Sequence, residues 1–154
     1  MAEPAGAIYG ADDPEVLDLR TRLANALFED GDYLRAAAAY NRLAPDLARR
    51  CGPDDERTFQ CRMQEAMRQA HLDDSDLALR LLRDLLADQQ RACPAGDQRT
   101  LELRRQIGEM ERRSGDLAGA HLTIAELYDA LCRRFGRDHP ATARVGESLA
   151  VLEI

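Results

Sequence analysis

An all-α solenoid of stacked helical hairpins is the fold this sequence predicts, on three observations. A step of 42 residues carries positions 10–17 onto 52–59, 94–101 and 136–143. The same step links Ala36, Ala78 and Ala120, then Leu43, Leu85 and Leu127, then Arg20, Arg62 and Arg104. A fixed period of this length marks supersecondary units that bury their apolar faces against one another. Within each period, two stretches carry apolar residues at helical spacing, parted by a short polar turn. Neither a strand pattern nor a Gly/Ser-rich linker interrupts the chain.

The elements follow in order. Residues 1–9 read as a flexible N-terminal segment without the charged start and apolar run of a signal peptide. Pro14 opens the first helix after an Asp12-Asp13 cap, since its missing donor would be unpaired there anyway. Leu17, Leu19, Leu23, Ala24 and Leu27 continue it at helical spacing. Gly31 ends that helix in a left-handed turn and Asp32 caps the next. The second helix carries Tyr33, Ala36, Ala37, Tyr40, Leu43 and Leu47. It closes at Arg49-Arg50, where basic charge complements the helix dipole.

The second period runs from Asp54-Asp55 through Phe59, Met63 and Ala66 to a turn at Asp73-Asp74-Ser75. Leu77, Ala78, Leu81, Leu82, Leu85 and Leu86 follow on its second helix. In the third, Gly115-Asp116 divides a helix with Leu101, Leu103 and Ile107 from one with Leu122, Leu127, Tyr128 and Leu131. A fourth begins at Asp138-His139-Pro140, where His139 caps the helix, and has one helix only (Val145, Leu149, Leu152, Ile154). Seven helices result, in periods 10–51, 52–93, 94–135 and 136–154.

Composition narrows the function. The 154 residues hold 28 acidic and 21 basic side chains, all arginine, for a net charge of −7. That balance opposes general binding to nucleic-acid phosphates, and no apolar run approaches the ~20 residues of a membrane helix. The four cysteines (Cys51, Cys61, Cys93, Cys132) form no CxxC pair and lack histidines at zinc spacing, so they read as small apolar residues of a reducing cytoplasm. His71, His121 and His139 have no nucleophile or second histidine at a suggestive spacing. The acidic runs at 54–56 and 73–76 lack the ligand alternation of a calcium loop. The expectation is a non-enzyme with no catalytic residues, no metal and no cofactor.

Small pairs such as Leu23-Ala24, Ile107-Gly108 and Leu149-Ala150, the turns Gly31-Asp32-Tyr33 and Gly115-Asp116-Leu117, and the alanines at 36, 78 and 120 together resemble the tetratricopeptide repeat (TPR). The 42-residue spacing and the junction from Gly136 to Thr142 are similar to its kinesin light chain subtype, as found in actinobacterial regulatory proteins. The resemblance covers residues 10–154. It implies one TPR domain: a right-handed α-solenoid of three hairpins plus a C-terminal capping helix. The chain departs from the pattern where the usual large aromatic falls on Arg20, Arg62 and Arg104, where leucine is replaced by Glu65, and where glycine is replaced by Asp73.

The resemblance also implies a concave face lined by the first helix of each hairpin. Carried over, its positions are Asp18, Thr21, Asn25, Phe28 and Glu29, then Gln60, Met63, Met67, Ala70 and His71. Glu102, Arg105, Glu109, Arg112 and Arg113 follow, then Arg144, Glu147 and Val151. Phe28, Met63 and Met67 would make an apolar half and the arginines an acid-recognising half, for a protein or peptide partner with apolar and acidic residues. The competing reading has the methionines as core filler and the Arg/Glu mixture as a self-paired solvated face. The carboxylate grip of chaperone-binding members is not expected: of Thr21, Asn25, Met63 and Met67, only Asn25 fits. The recurring arginines 20, 62 and 104 read as buried stems with heads paired to carboxylates.

The expected function is a non-catalytic protein- or peptide-binding module in the cytoplasm, with no nucleic-acid or membrane partner. The alternative is a regulatory or oligomerisation segment of a larger signalling protein such as a Ser/Thr kinase. A final helix without a partner leaves three readings open: a cap, a cut chain, or a homodimer through the end helices.

Overall fold

The computed structural model describes residue 10 and residues 13–153. The expected flexible segment 1–9, the Asp12 half of the first cap and Ile154 lie outside the described residues. Among the described residues there are seven helices and no strand: α1 Pro14–Glu29, α2 Tyr33–Cys51, α3 Glu56–His71, α4 Ser75–Ala92, α5 Gln98–Arg113, α6 Leu117–Phe135 and α7 Pro140–Leu152. None is long and apolar enough to cross a membrane.

The boundaries follow from local chemistry. Asp13, Asp55, Asp97 and His139 each accept an amide hydrogen two residues ahead, at the starts of α1, α3, α5 and α7. Asp32 and Asp116 cap α2 and α6 by accepting from the amides of Arg35 and Gly119, and Asp74 accepts from Leu77 at the start of α4. Such caps satisfy donors that the first turn leaves open. Between the helices of each hairpin the chain reverses through a left-handed residue: Gly31 at φ 80° and Gly115 at φ 93°. In the second hairpin that place is taken by Asp73 at φ 62°, the one non-glycine residue with positive φ among those described. A side chain there costs about 1 kcal/mol relative to glycine. Asp73→Gly is therefore expected to raise stability by about that amount, read as a shifted urea midpoint at unchanged slope.

The chain divides into two compact units, Met1–Leu81 and Leu82–Ile154, the boundary falling within α4. In the first, α2 packs against α1 and α3. Its core gathers Leu17, Ala24, Ala36, Tyr40, Leu43, Leu47 and Cys61. Burial pushes the Cys61 thiol up to about 12, so this cysteine is held as an inert thiol that donates to the Tyr40 carbonyl at 3.3 Å. In the second unit, α6 packs against α5 and α7 around Leu101, Ile124, Leu127, Leu131 and Val145.

Some apolar residues placed by spacing alone face outward. Leu19 and Leu23 are 53% and 57% exposed. Their register counterparts Cys61 and Leu103, and Ile107, are buried. Cys61 is covered by α2, and among the described residues no helix precedes α1. Leu122 is exposed and Ile124 is buried in its stead, because the inward stripe of α6 runs Ala120, Ile124, Leu127, Leu131. In α4 Leu79 is buried with Leu82 and Leu85, and Leu81 is only half-buried.

Of the recurring arginines, Arg20 meets Asp46 at 2.6 Å, its side chain 25% exposed. Arg49 pairs with the same carboxylate. Burial pushes the Asp46 carboxyl up, but hydrogen bonds from Arg20 and Arg49 outweigh it and hold it below the usual carboxylate range. A carboxyl lowered in the folded state contributes stability above its unfolded pKa of about 3.9 and loses it as pH falls through the folded value. Asp46→Asn should therefore cost about 1.5 kcal/mol at neutral pH. That difference from wild type should shrink as pH falls through the lowered folded value, as a urea series at several pH values would show.

Candidate functional site

Two grooves have the same construction, one in each unit. In the first unit, α1 and α3 form the walls and α2 the floor of a groove of about 950 Å³. Its walls include Asp18, Thr21, Asn25, Gln60 and Gln64, and its floor Tyr40, Leu43 and Leu47. In the second unit, α5 and α7 wall a groove of about 690 Å³ over α6. Two steps of 42 convert one lining into the other: Leu17 to Leu101, Asp18 to Glu102, Thr21 to Arg105, Leu43 to Leu127, Gln60 to Arg144 and Gln64 to Ser148. Both volumes fall in the range of ligand clefts, about 300–1,000 Å³.

The chemistry of the two differs. The first groove sets the amides and hydroxyl of Asn25, Gln60, Gln64 and Thr21 beside charged residues of both signs, Asp18, Asp55, Glu56, Arg50 and Arg57. The Tyr40 hydroxyl donates to Asn25 Oδ1, and burial raises its pKa, so at neutral pH it remains a donor. Behind it Arg68, 5% exposed, donates to Gln64 Oε1 at 2.7 Å and lies 3.6 Å from the centre of the Phe28 ring. Desolvation lowers the Arg68 pKa, against the pull of the neighbouring tyrosines. Glu65, 7% exposed, accepts from Asn41 Nδ2 at 2.8 Å.

The second groove is apolar below and charged above. Leu101, Leu127, Leu131 and Val145 form its base, with Val151 exposed at one wall. On the rim, Arg105 grips Glu102 through two hydrogen bonds at 3.0 and 2.7 Å. Arg112 grips Glu109 in the same i,i+3 manner. Hydrogen bonds from Arg105 and Arg112 hold the two carboxyls below their usual range. A smaller recess of about 250 Å³ continues the groove past Gly108, Glu109 and Arg112 and shares Arg105, Ser148 and Val151 with it.

Of the residues expected on the concave face, Glu102, Arg105, Glu109, Arg112 and Arg144 come together in the second unit. Asn25 and Gln60 share the groove of the first. Phe28 and His71 are in a different setting, an aromatic cluster in which Tyr33 stacks on His71 at 4.6 Å and Phe28 lies 5.9 Å from Tyr33. Met63 and Met67 are half-buried on α3 and line neither groove. The sequence reading missed the floor residues of both grooves, although the recurrence of Leu43, Leu85 and Leu127 marked them. It also missed Arg68, whose counterparts Ala26 and Met110 gave no such signal. Among the described residues, no three His, Cys, Asp or Glu side chains are placed to hold a metal ion.

No protein-family model matches the chain, and no curated protein does. Solved structures do. A Podosopora anserina protein with nearly identical TPR-like repeats, a kinesin light chain candidate, superposes with a TM-score of 0.71 at 14% identity. It covers 88% of this chain and 64% of its own. A point-substituted form of the same protein superposes at 0.72, with the same identity and coverage. This chain thus spans about two thirds of the length of the structures it matches. The fold is a TPR-like helical repeat.

Proposed function

We propose that this chain is a non-catalytic module that binds a protein or peptide carrying apolar and acidic residues. The groove between α5 and α7 carries this reading: an apolar base under a rim of Arg105, Arg112 and Arg144. Apolar side chains of the partner would enter the base, and its carboxylates would exchange with Glu102 and Glu109 on the arginine forks. Helices hold both walls, so little ordering is needed on binding. Within the proposal the chain forms one TPR domain, and Asn25 and Gln60 belong to the separate groove of the first unit. Selection from a displayed random-peptide library tests it. Enrichment of peptides combining leucine-like anchors with Asp or Glu is expected; enrichment of basic peptides, or none, would overturn the reading.

A second reading, a self-associating regulatory segment of a larger signalling protein, is favoured by one observation, the outward leucines Leu19 and Leu23 on α1. It predicts a mass that rises with concentration by light scattering and returns to that of a monomer in Leu19→Glu/Leu23→Glu.

A further inference from the structure

In the first hairpin, Asp46 sits between two arginines and pairs with both, Arg20 and Arg49. One step of 42 gives Arg62, Asp88 and Arg91, and the next gives Arg104, Ala130 and Arg133. In the second hairpin Arg91 keeps its carboxylate, Asp88. In the third, both arginines remain and the carboxylate between them has become a methyl group.

A cavity of about 620 Å³ lies at that spot, lined by Arg104, Ala130, Arg133, Arg134 and Thr100, with no Asp or Glu in its lining. Among the described residues no carboxylate forms an ion pair with any of the three arginines. Thr100 is 5% exposed and its hydroxyl has no hydrogen-bond partner. Its counterpart Thr58 donates to the Gly52 carbonyl at 2.8 Å. On the cavity's other side Gly96 leaves space for Arg134: a Cβ there would stand 3.2 Å from Arg134 Cδ and 3.3 Å from Nη1.

We propose that this pocket binds a phosphoryl group, which takes the place left by the missing aspartate. A single carboxylate serves two arginines in the first hairpin. Three uncompensated guanidinium groups call for more charge than one carboxylate carries, and a phosphoryl group supplies about −1.5 to −2 with three acceptor oxygens. Guanidinium forks match those oxygens in pairs, and the Thr100 hydroxyl adds a donor. The net charge of −7 repels extended polyanions, so the ligand is a single phosphoryl group and not a nucleic-acid strand.

Amide NMR at low salt, with inorganic phosphate as the probe, tests this. Phosphate is expected to shift the Gly96 and Thr100 signals with millimolar or tighter affinity, and an equal concentration of acetate to shift them far less. Ala130→Asp rebuilds the internal carboxylate and should weaken phosphate binding at least tenfold. Arg133→Gln, at an exposed side chain, should do the same with an unchanged circular dichroism spectrum. A phosphoserine peptide alongside inorganic phosphate separates the two sources: tighter binding of the peptide assigns the site to a modified protein, equal binding to a free phosphate compound. Absent shifts at Gly96 and Thr100, or phosphate binding undiminished in Arg133→Gln, would overturn the proposal.

Discussion

Leu127→Ala is expected to cost about 3–4 kcal/mol, the largest single loss in the second unit. Leu127 is 1% exposed and joins α6 to Leu101 on α5 and Val145 on α7. Removing it leaves a cavity beneath the groove that two packed walls cannot collapse to fill. The same residue forms the groove's base, so ligand binding should weaken even where the protein stays folded. Urea denaturation of the two proteins measures the first effect. A loss below about 1 kcal/mol would show that the base is a loosely packed surface.

Gly108→Val is expected to be the next most damaging, at about 2–3 kcal/mol. Gly108 stands where the earlier hairpins have Ala24 and Ala66. A Cβ on Gly108 would lie 2.4 Å from Ile124 Cδ1 and 2.8 Å from its Cγ1. The end of the isoleucine can swing aside from a single methyl, which a helix also favours over glycine. Branched valine leaves it nowhere to go. Ile124→Ala should therefore relieve Gly108→Val, so that the double variant is at least 1 kcal/mol more stable than the sum of the single effects. Strict additivity would place the strain elsewhere.

These residues show what the sequence made legible. The step of 42 located all seven helices, and aspartates at most of their starts, His139 at the last and the glycine turns at 31 and 115 were legible because caps and turns are local chemistry. The residues that line the second groove, among them Glu102, Arg105 and Arg144, came from positions implied by the family resemblance and not from the period itself. The depth of each position was less legible. Leu19 has the same helical spacing as Leu103, and it is exposed because burial depends on a neighbouring helix, which periodicity within one helix cannot report. Ile124 and Leu122 differ by two positions on a helix where many residues are apolar, and it is Ile124 that packs against Gly108 on α5. Arg68 was the least legible. Its burial rests on Phe28 and Gln64, contacts particular to one hairpin and invisible to a repeat.

The pairing of Glu102 with Arg105 and of Glu109 with Arg112 bears on both sequence-level readings of the rim. Such exposed i,i+3 pairs are weak, because water and salt screen them and two long side chains must be ordered to form them. A ligand carboxylate that binds more strongly can take the arginine. The pairs therefore keep the rim ordered without closing it to a partner.

The most direct measurement is a charge-swap titration by fluorescence anisotropy, using a peptide selected on the wild-type protein and a copy with its acids changed to lysine. The proposal predicts that Arg105→Glu/Arg144→Glu weakens the acidic peptide at least tenfold and gains affinity for the basic copy, with the helical spectrum unchanged. Equal binding of the acidic peptide by both proteins would contradict it and place recognition outside the groove between α5 and α7.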